Sequence, residues 1–205
     1  HTDGFTVRLE RRDWRGVGQR DAQRGEVTGC VLRTRFSGQG ARSVEAGELL
    51  AGEYNFLRGS DPQAWCTHVP AFASVRMHDV NPGIDVLYRP LPNGVAGPFE
   101  YDLLLAPGAD LAAFSARCEG AKSLRIDAAG QLRVLVATPD GDLELVQQAP
   151  IAWQDGPTGR RALHVAFRLL GEDNYGFVAN DLDPACAATV DPGVVWSTYL
   201  GGGSS

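Results

Sequence analysis

The stretch Tyr54–Asp102, YNFLRGSDPQAWCTHVPAFASVRMHDVNPGIDVLYRPLPNGVAGPFEYD, is the most informative part of this 205-residue chain. Its apolar residues fall in short runs, and two of these, Phe72–Met77 and Ile84–Tyr88, have the length and composition of β-strands. The pair Pro82-Gly83 between them is a turn signal, because proline presets φ and glycine accepts the left-handed backbone conformation. The stretch therefore predicts strands that reverse direction at tight turns.

Strand signals extend outward from this stretch in both directions. Between Leu163 and Leu169, apolar residues alternate with more polar ones, which is the period of a half-buried strand. We predict one strand there, and further strands at Phe5–Leu9, Cys30–Phe36, Phe99–Leu105, Leu124–Asp127, Leu132–Val136, Leu143–Gln147 and Ile151–Gln154. Helical signals are limited to two short turns, near Asp61–Trp65 and Asp110–Phe114, where Ser60 and Asp110 can act as caps. The sequence predicts an all-β fold of the β-sandwich type with short helical turns only.

Two segments of the chain resemble each other. Arg35–Gly38, followed by Val44–Leu49, parallels Arg117–Gly120, followed by Ile126–Leu132. Two related sandwich halves, 1–97 and 98–192, would explain this similarity. Chance likeness between two β-hairpins explains it almost as well, so both interpretations stay open.

Composition excludes several classes of protein. Apolar residues make up 43% of the chain, which is enough for a packed core and too many for a disordered tail. The formal net charge of −6 argues against nucleic-acid binding by phosphate neutralisation. No run of 18 apolar residues is present, so no transmembrane helix is predicted.

A series of short motifs points to one family. The residues that carry it are Asn55, Phe56, Gly59, Asp61, Pro62, Trp65, Thr67, Pro70, Pro82–Asp85, Tyr88, Glu100–Asp102, Ala106–Asp110, Glu119–Ala121, Gly141–Gln148, Asp191, Pro192 and Trp196–Gly202. With them the chain resembles DUF7948, a domain of unknown function found near the N-terminus of large secreted bacterial proteins. There the domain precedes SBBP repeats, which form the blades of a β-propeller.

The resemblance carries expectations about organisation and function. It implies an extracellular or cell-surface bacterial protein, with an all-β domain over 1–192 and the start of an SBBP repeat over 193–205. The expected partner is the β-propeller that follows in the same polypeptide. Because the family has no assigned chemistry, we predict a non-catalytic structural or adhesive module. The alternative is a carbohydrate-binding module, or a β-sandwich acting on polysaccharide.

The four cysteines are Cys30, Cys66, Cys118 and Cys186, and none forms a C-x-x-C pair. A zinc ribbon or a thioredoxin-like site is therefore not predicted. Buried free thiols and two disulfides both fit the sequence. Because the resemblance implies secretion, we favour disulfides. Cys30 and Cys118 form the first candidate pair, since both point to the apolar side of their strand and lie next to a glycine turn.

Catalytic motifs are absent from the sequence, which has no H-E-x-x-H, G-x-S-x-G or P-loop pattern. We assign no catalytic, cofactor-binding or metal-binding residue. His68 and His78 lie near Asp85 in the sequence, but histidines beside turns are usually exposed. His164 is predicted on the polar face of its strand. Asn180–Asp183 has some of the character of a calcium loop, so Ca²⁺ is a weak alternative.

Aromatic side chains offer the most direct route to a ligand. Flat rings cover the apolar faces of sugars, and Trp65, Tyr88 and Tyr101 are the candidates for ligand-facing aromatics. Core packing is the alternative for each of them. An exposed aromatic strip beside carboxylates would favour the carbohydrate-binding alternative.

Overall fold

The computed structural model describes residues 3–12, 27–38, 40–57, 59–90, 99–139, 141–157 and 159–195. Within these ranges the chain forms strands and two three-residue 3-10 turns, and the predicted all-β fold is confirmed. The strands are β1 Gly4–Arg12, β2 Val27–Phe36, β3 Ser43–Ala46, β4 Leu49–Phe56, β5 Cys66–Phe72, β6 Val75–Asn81, β7 Ile84–Pro90, β8 Phe99–Leu105, β9 Ser115–Glu119, β10 Ser123–Ile126, β11 Leu132–Thr138, β12 Gly141–Gln147, β13 Ile151–Gly156, β14 Gly159–Leu163, β15 Val165–Leu169, β16 Asn174–Ala179, β17 Ala187–Asp191 and β18 Val194–Val195.

The strands form four antiparallel sheets. A five-stranded sheet has the order β1-β2-β9-β16-β15, and a seven-stranded sheet has the order β14-β13-β17-β8-β7-β6-β3. A four-stranded sheet has the order β10-β11-β12-β18, and β4 and β5 form a two-stranded sheet. Phe5 of the five-stranded sheet packs edge-on against Phe99 of the seven-stranded sheet, with 5.0 Å between ring centroids. The two large sheets therefore face each other as a sandwich.

Aromatic rings fill the space between the sheets. Phe114 lies 5.2 Å from Phe36 and 5.9 Å from Phe177, measured between ring centroids, and Phe177 is completely buried. The buried hydroxyl of Tyr101 lies 2.9 Å from that of Tyr175, and both contact Gln147 at 3.3 Å. Burial raises the pKa of both tyrosines, so they stay neutral and keep these hydrogen bonds.

Both helical turns are found where the sequence predicts them. Pro62–Ala64 is capped by Asp61, whose carboxylate accepts from the Gln63 amide, and so the cap is Asp61 rather than Ser60. Leu111–Ala113 is capped by Asp110 in the same way. The Pro82-Gly83 turn also forms between β6 and β7, with φ of 71° at Gly83.

The two predicted sandwich halves do not form separate sandwiches. Strands from 1–97 and from 98–192 occur together in both large sheets. The two similar segments lie side by side, because β2 pairs with β9 and Arg35 lies opposite Arg117. The sequence similarity is therefore between two neighbouring strands of one sheet, and it does not mark a repeat of whole domains.

The single strand predicted over Leu163–Leu169 is two strands in two sheets. β14 belongs to the seven-stranded sheet and β15 to the five-stranded sheet, and the chain crosses between them at His164. The His164 amide donates to the Asp181 carboxylate at 3.1 Å instead of to a strand. The predicted position of His164 on a strand face is therefore wrong. Apolar and more polar residues keep alternating across the crossing, so the sequence period does not show that one strand ends and another begins at His164.

The predicted Cys30–Cys118 disulfide is not formed, and all four cysteines are free thiols. Cys118 lies opposite Thr34 in the pairing of β9 with β2, and Cys30 lies four residues from Thr34. That offset separates the two Cα atoms by about 13 Å, beyond the roughly 7 Å that a disulfide can bridge. Both side chains do face the core, where Cys118 is buried.

The end of the described chain pairs with this domain. β18 joins the four-stranded sheet, with Val194 opposite Gln147 and Val195 opposite Val146. The remainder of the predicted SBBP start, including Trp196–Gly202, lies outside the described residues.

We expect Phe177→Ala to lower the free energy of unfolding by about 3–5 kcal/mol, because it opens a cavity among packed aromatic rings. Ile151→Ala is the matched control, since Ile151 is 67% exposed, and its effect is expected to stay within about 0.5 kcal/mol. Urea unfolding followed by circular dichroism measures both. Equal losses for the two variants would contradict the core described above.

We expect thiol titration with an aromatic disulfide reagent to find four free thiols per chain in guanidinium. In the native protein Cys66 is exposed and is expected to react first. Burial raises the pKa of the Cys118 thiol to about 12, so Cys118 is expected to react last. A count of two thiols in denaturant would show that a pair is bridged.

Candidate functional site

A cleft of about 440 Å³ lies on the outer face of the seven-stranded sheet. We call it the outer cleft. In β7, Ile84 and Val86 are fully buried on the inner face of the sheet, and Asp85 between them points to the outer face. The residues that line the outer cleft are Arg76, His78, Asp79, Gly83, Asp85, Leu104, Leu105, Ala106, Asp155, Ala187, Ala188 and Thr189. The outer cleft is therefore lined by charged side chains together with small and aliphatic ones.

Asp85 is the centre of the charged residues in the outer cleft. Its carboxylate accepts from Arg76 Nε at 2.8 Å, from the Asp79 amide at 2.8 Å and from His78 Nδ1 at 3.1 Å. Burial alone would raise the pKa of Asp85, but the hydrogen bonds from the Asp79 amide and from Arg76 lower it below the ordinary value. Asp85 is therefore held in its ionised form by its neighbours.

His78 and Asp79 complete this cluster. His78 Nε2 lies 2.9 Å from a carboxylate oxygen of Glu45, so each ring nitrogen of His78 faces a carboxylate. Asp79 has φ of 50°, and the β6–β7 pairing is irregular between Met77 and Asn81. This bulge turns the Asp79 amide toward Asp85. The arrangement can bind polar or charged groups, but its own groups already satisfy one another.

A second charged cluster lies at the other end of β7 and β8. Arg89 donates two hydrogen bonds of 2.8 Å to the oxygens of Asp102 and one of 3.4 Å to Asp191. Glu100 lies 4.0 Å away. Burial raises the pKa of Asp102 and of Glu100, although Arg89 opposes the rise in both. Because Asp191 is on β17, this cluster ties three neighbouring strands together.

A different kind of surface projects from the edge of the seven-stranded sheet. We call β4, β5 and their connection, 49–72, the arm. The pairing of β3 with β6 runs on into the arm, since Ala46 lies opposite Val75 and Leu49 opposite Phe72. Beyond that point β4 and β5 form a sheet of two strands. The large apolar side chains that the arm exposes are Leu49, Leu50, Tyr54, Phe56, Leu57 and Phe72.

The two faces of the arm differ in character. Glu53 lies opposite Pro70 on one face, and its carboxylate is 2.6 Å from His68 Nδ1. Tyr54 is the next residue and therefore points to the other face, opposite Val69. We call this second face the Tyr54 face. The ring of Phe56 lies 6.4 Å from that of Tyr54 with an interplanar angle of 25°, so the two rings form an exposed, nearly parallel pair.

Of the three aromatics predicted to face a ligand, Tyr88 and Tyr101 lie outside the arm and Trp65 lies in its connection. Tyr101 is completely buried, and Tyr88 packs edge-on against Phe99 at 5.4 Å with its hydroxyl buried, so the prediction is wrong for both. Both side chains point to the inner face of the seven-stranded sheet, Tyr88 from β7 and Tyr101 from β8. Trp65 is half-buried, and its indole N–H donates to the Gly59 carbonyl at 3.2 Å within the arm's connection. Trp65 therefore holds that connection in shape.

Sequence reasoning did not single out the exposed aromatics of the arm as ligand-facing, although Phe56 is among the residues that carry the family resemblance. Tyr54 and Phe56 alternate with Glu53 and Asn55, which is the usual pattern of a half-buried strand. The pattern identifies the apolar face, but it does not tell whether another layer covers that face.

The histidines and loop carboxylates do not form one site. His68 pairs with Glu53 on the arm, and His78 pairs with Asp85 in the outer cleft. In Asn180–Asp183, which was only a weak alternative for calcium, Asp181 binds the amide and ring of His164, and Asp183 accepts from the Ala185 amide. Within the described ranges no group of three His, Cys, Asp or Glu side chains is arranged so that it could hold a metal ion.

The family assignment follows from a comparison with family models. The model of a domain of unknown function, DUF7948, matches residues 2–193. The chain belongs to this family. No curated protein and no solved structure matches it. In the described part of this DUF7948 domain, no helix is long and apolar enough to cross a membrane.

We expect Asp85→Asn to destabilise the DUF7948 domain by about 2 kcal/mol at pH 7, because it leaves Arg76 without its charged acceptor. The folded-state pKa of Asp85 is below its unfolded value. Its contribution is therefore complete above the unfolded pKa and is lost as the pH falls through the folded pKa. Urea unfolding at pH 7, 5 and 3 measures the difference between wild type and variant, which is expected to shrink at the lowest pH.

The control is Asp142→Asn, which removes a surface pair with Lys122 and is expected to cost less than about 1 kcal/mol. A difference for Asp85→Asn that grows as the pH falls would contradict the assignment of Asp85 as an ionised hydrogen-bond acceptor.

Proposed function

We propose that this DUF7948 domain is a non-catalytic structural or adhesive module of an extracellular or cell-surface bacterial protein. The arm is its contact surface. The observation that supports this proposal is that the arm exposes six large apolar side chains, five of them on its two strands. Concentrated exposed apolar surface on a folded domain marks a site of contact with another molecule.

The charges of the outer cleft support a structural role for it. A general acid or base must be able to exchange a proton with a substrate at hydrogen-bond distance. Asp85 accepts from three groups of the domain, and His78 has a carboxylate at each ring nitrogen. The cluster therefore joins β3, β6 and β7, and we assign it to the stability of the sheet.

The setting in the proposal rests on the resemblance to secreted proteins. There the partner of the domain is a β-propeller of SBBP repeats that follows in the same chain. Val194 and Val195 pair with β12, so a following repeat would begin directly beside the four-stranded sheet. A short connection of this kind favours a fixed geometry between the module and the repeats.

A second candidate function is carbohydrate binding. The observation in its favour is the exposed, nearly parallel pair of Tyr54 and Phe56 rings, with the carboxylate of Glu53 on the same strand. Sugar rings stack on such aromatic surfaces. Glu53 is on the opposite face from the two rings, and this arrangement favours a contact with an apolar surface over a contact with a sugar.

The test of the proposal is binding of the fluorescently labelled chain to bacterial cells. We expect Tyr54→Ser with Phe56→Ser to reduce retention on cells by at least tenfold, because losing the burial of two half-exposed aromatic rings costs more than the roughly 1.4 kcal/mol that a tenfold change in affinity requires. Ile151→Ser removes an equally exposed apolar side chain from another sheet and is expected to leave retention unchanged.

Two further measurements separate the alternatives. Competition of cell binding by soluble cello-, chito- or manno-oligosaccharides would replace the adhesive function with carbohydrate binding. Turnover of glycoside, ester or peptide substrates that Asp85→Asn or His78→Ala abolishes would overturn the non-catalytic assignment.

A further inference from the structure

The Tyr54 face of the arm is an apolar sheet face, and no other strand or helix of the described residues is packed over it. Leu50, Tyr54 and Phe56 are 43%, 54% and 46% exposed, while Val69 and Ala71 on the neighbouring strand are half-buried. A hairpin of two strands is only marginally stable in water, and it gains stability when further strands or an apolar surface join it. The arm therefore has a physical reason to acquire a partner.

The charges of the two strands lie on the opposite face of the arm. Glu53 points away from Tyr54, and His68 is held by Glu53 at 2.6 Å. In the β4–β5 ladder Tyr54 lies opposite Val69 and Phe56 lies opposite Cys66, so these four residues share the Tyr54 face. None of these is charged. Two such faces can meet without a contact between like charges, although the whole chain carries a formal charge of −6.

The size of the face sets the strength of such a contact. Its half-exposed aromatic rings and smaller neighbours expose on the order of 500 Å² of apolar surface. Two copies together would bury about 1,000 Å², which is the lower bound for a specific protein interface. An interface of that size supports a weak and reversible dimer, with a dissociation constant in the micromolar range.

We infer that the partner of the arm is a second copy of this chain, and that two arms pack their Tyr54 faces together around a two-fold axis. In an isologous contact the same patch is used twice, so the Tyr54 and Phe56 rings of one copy meet the same two rings of the other. Two sheets packed face to face lie about 10 Å apart, which accommodates one layer of interdigitating side chains from each. The inference rests on the proposed function in one respect, since both assign contact to the arm.

The test is sedimentation equilibrium of the full 205-residue chain between 1 and about 200 μM, a range that spans a micromolar dissociation constant. We expect the average mass of the wild type to rise with concentration from 21.9 kDa toward twice that value. Tyr54→Ser with Phe56→Ser is expected to weaken association at least tenfold. Glu53→Gln alters the charged face of the same strand and is expected to associate like the wild type.

Two further measurements make the result specific. Val69→Lys places a charge on the Tyr54 face from β5 and is expected to abolish association. It is an independent test of the same face in case the double serine variant does not fold. Raising sodium chloride from about 50 to 500 mM is expected to leave the dimer intact or strengthen it, because salt screens the net repulsion but not the apolar contact. A dimer that dissociates in salt would overturn the inference.

A wild type that stays at 21.9 kDa throughout the range, or variants of the Tyr54 face that still dimerise, would also overturn the inference. These outcomes are separate from the adhesion test. A monomer that binds cells through the arm keeps the proposed function and ends the dimer. A dimer that binds no cell surface keeps the inference and ends the adhesive function.

Discussion

The packing of aromatic rings between the two large sheets is the constraint on which the rest of the structure depends. Phe114 contacts Phe36 on one side and Phe177 on the other, and Phe36 in turn contacts Tyr101 of the opposite sheet. Phe36 and Tyr101 reach the interior because β2 and β8 alternate between core and outer face, whereas Phe114 follows the helical turn Leu111–Ala113. A shift of one residue in β2 or β8 would turn a large ring outward and a charge inward. The outward positions of Asp85 and Glu100 are therefore set by the residues that pack inside.

The fold class could be predicted from the sequence because its signals are local. Period-two alternation identified β2, β8 and β11, and capping by Asp110 identified a helical turn. Strand pairing is not local, and that is where the predictions failed. Nothing in the run from Leu163 to Leu169 shows that the chain changes sheets at His164, since both strands keep one face inward. The deciding contact is with Asp181, 17 residues further along the chain.

The same limit explains which residues of the candidate site were found. The turn at Pro82-Gly83 could be predicted from the sequence, but the partners of Asp85 could not, because Arg76 and His78 come from the neighbouring strand. Tyr101 looked like a ligand-facing aromatic because its type suits that role, but it lies in a central strand with a layer over it. Tyr54 has the same alternation in a strand over which the described part of the chain places no second layer. Sequence pattern gives the face of a strand, and only the assembled sheets decide whether that face is covered.

The continuity between the arm and the seven-stranded sheet has a mechanical consequence. A pull on the tip of the arm travels along β4 and β5 into β3 and β6. β3 has four residues and is the outermost strand of its sheet, which makes it the most weakly paired strand on the path of the force. A load applied to the arm would therefore separate β3 from the sheet more easily than a strand that carries rings of the aromatic core.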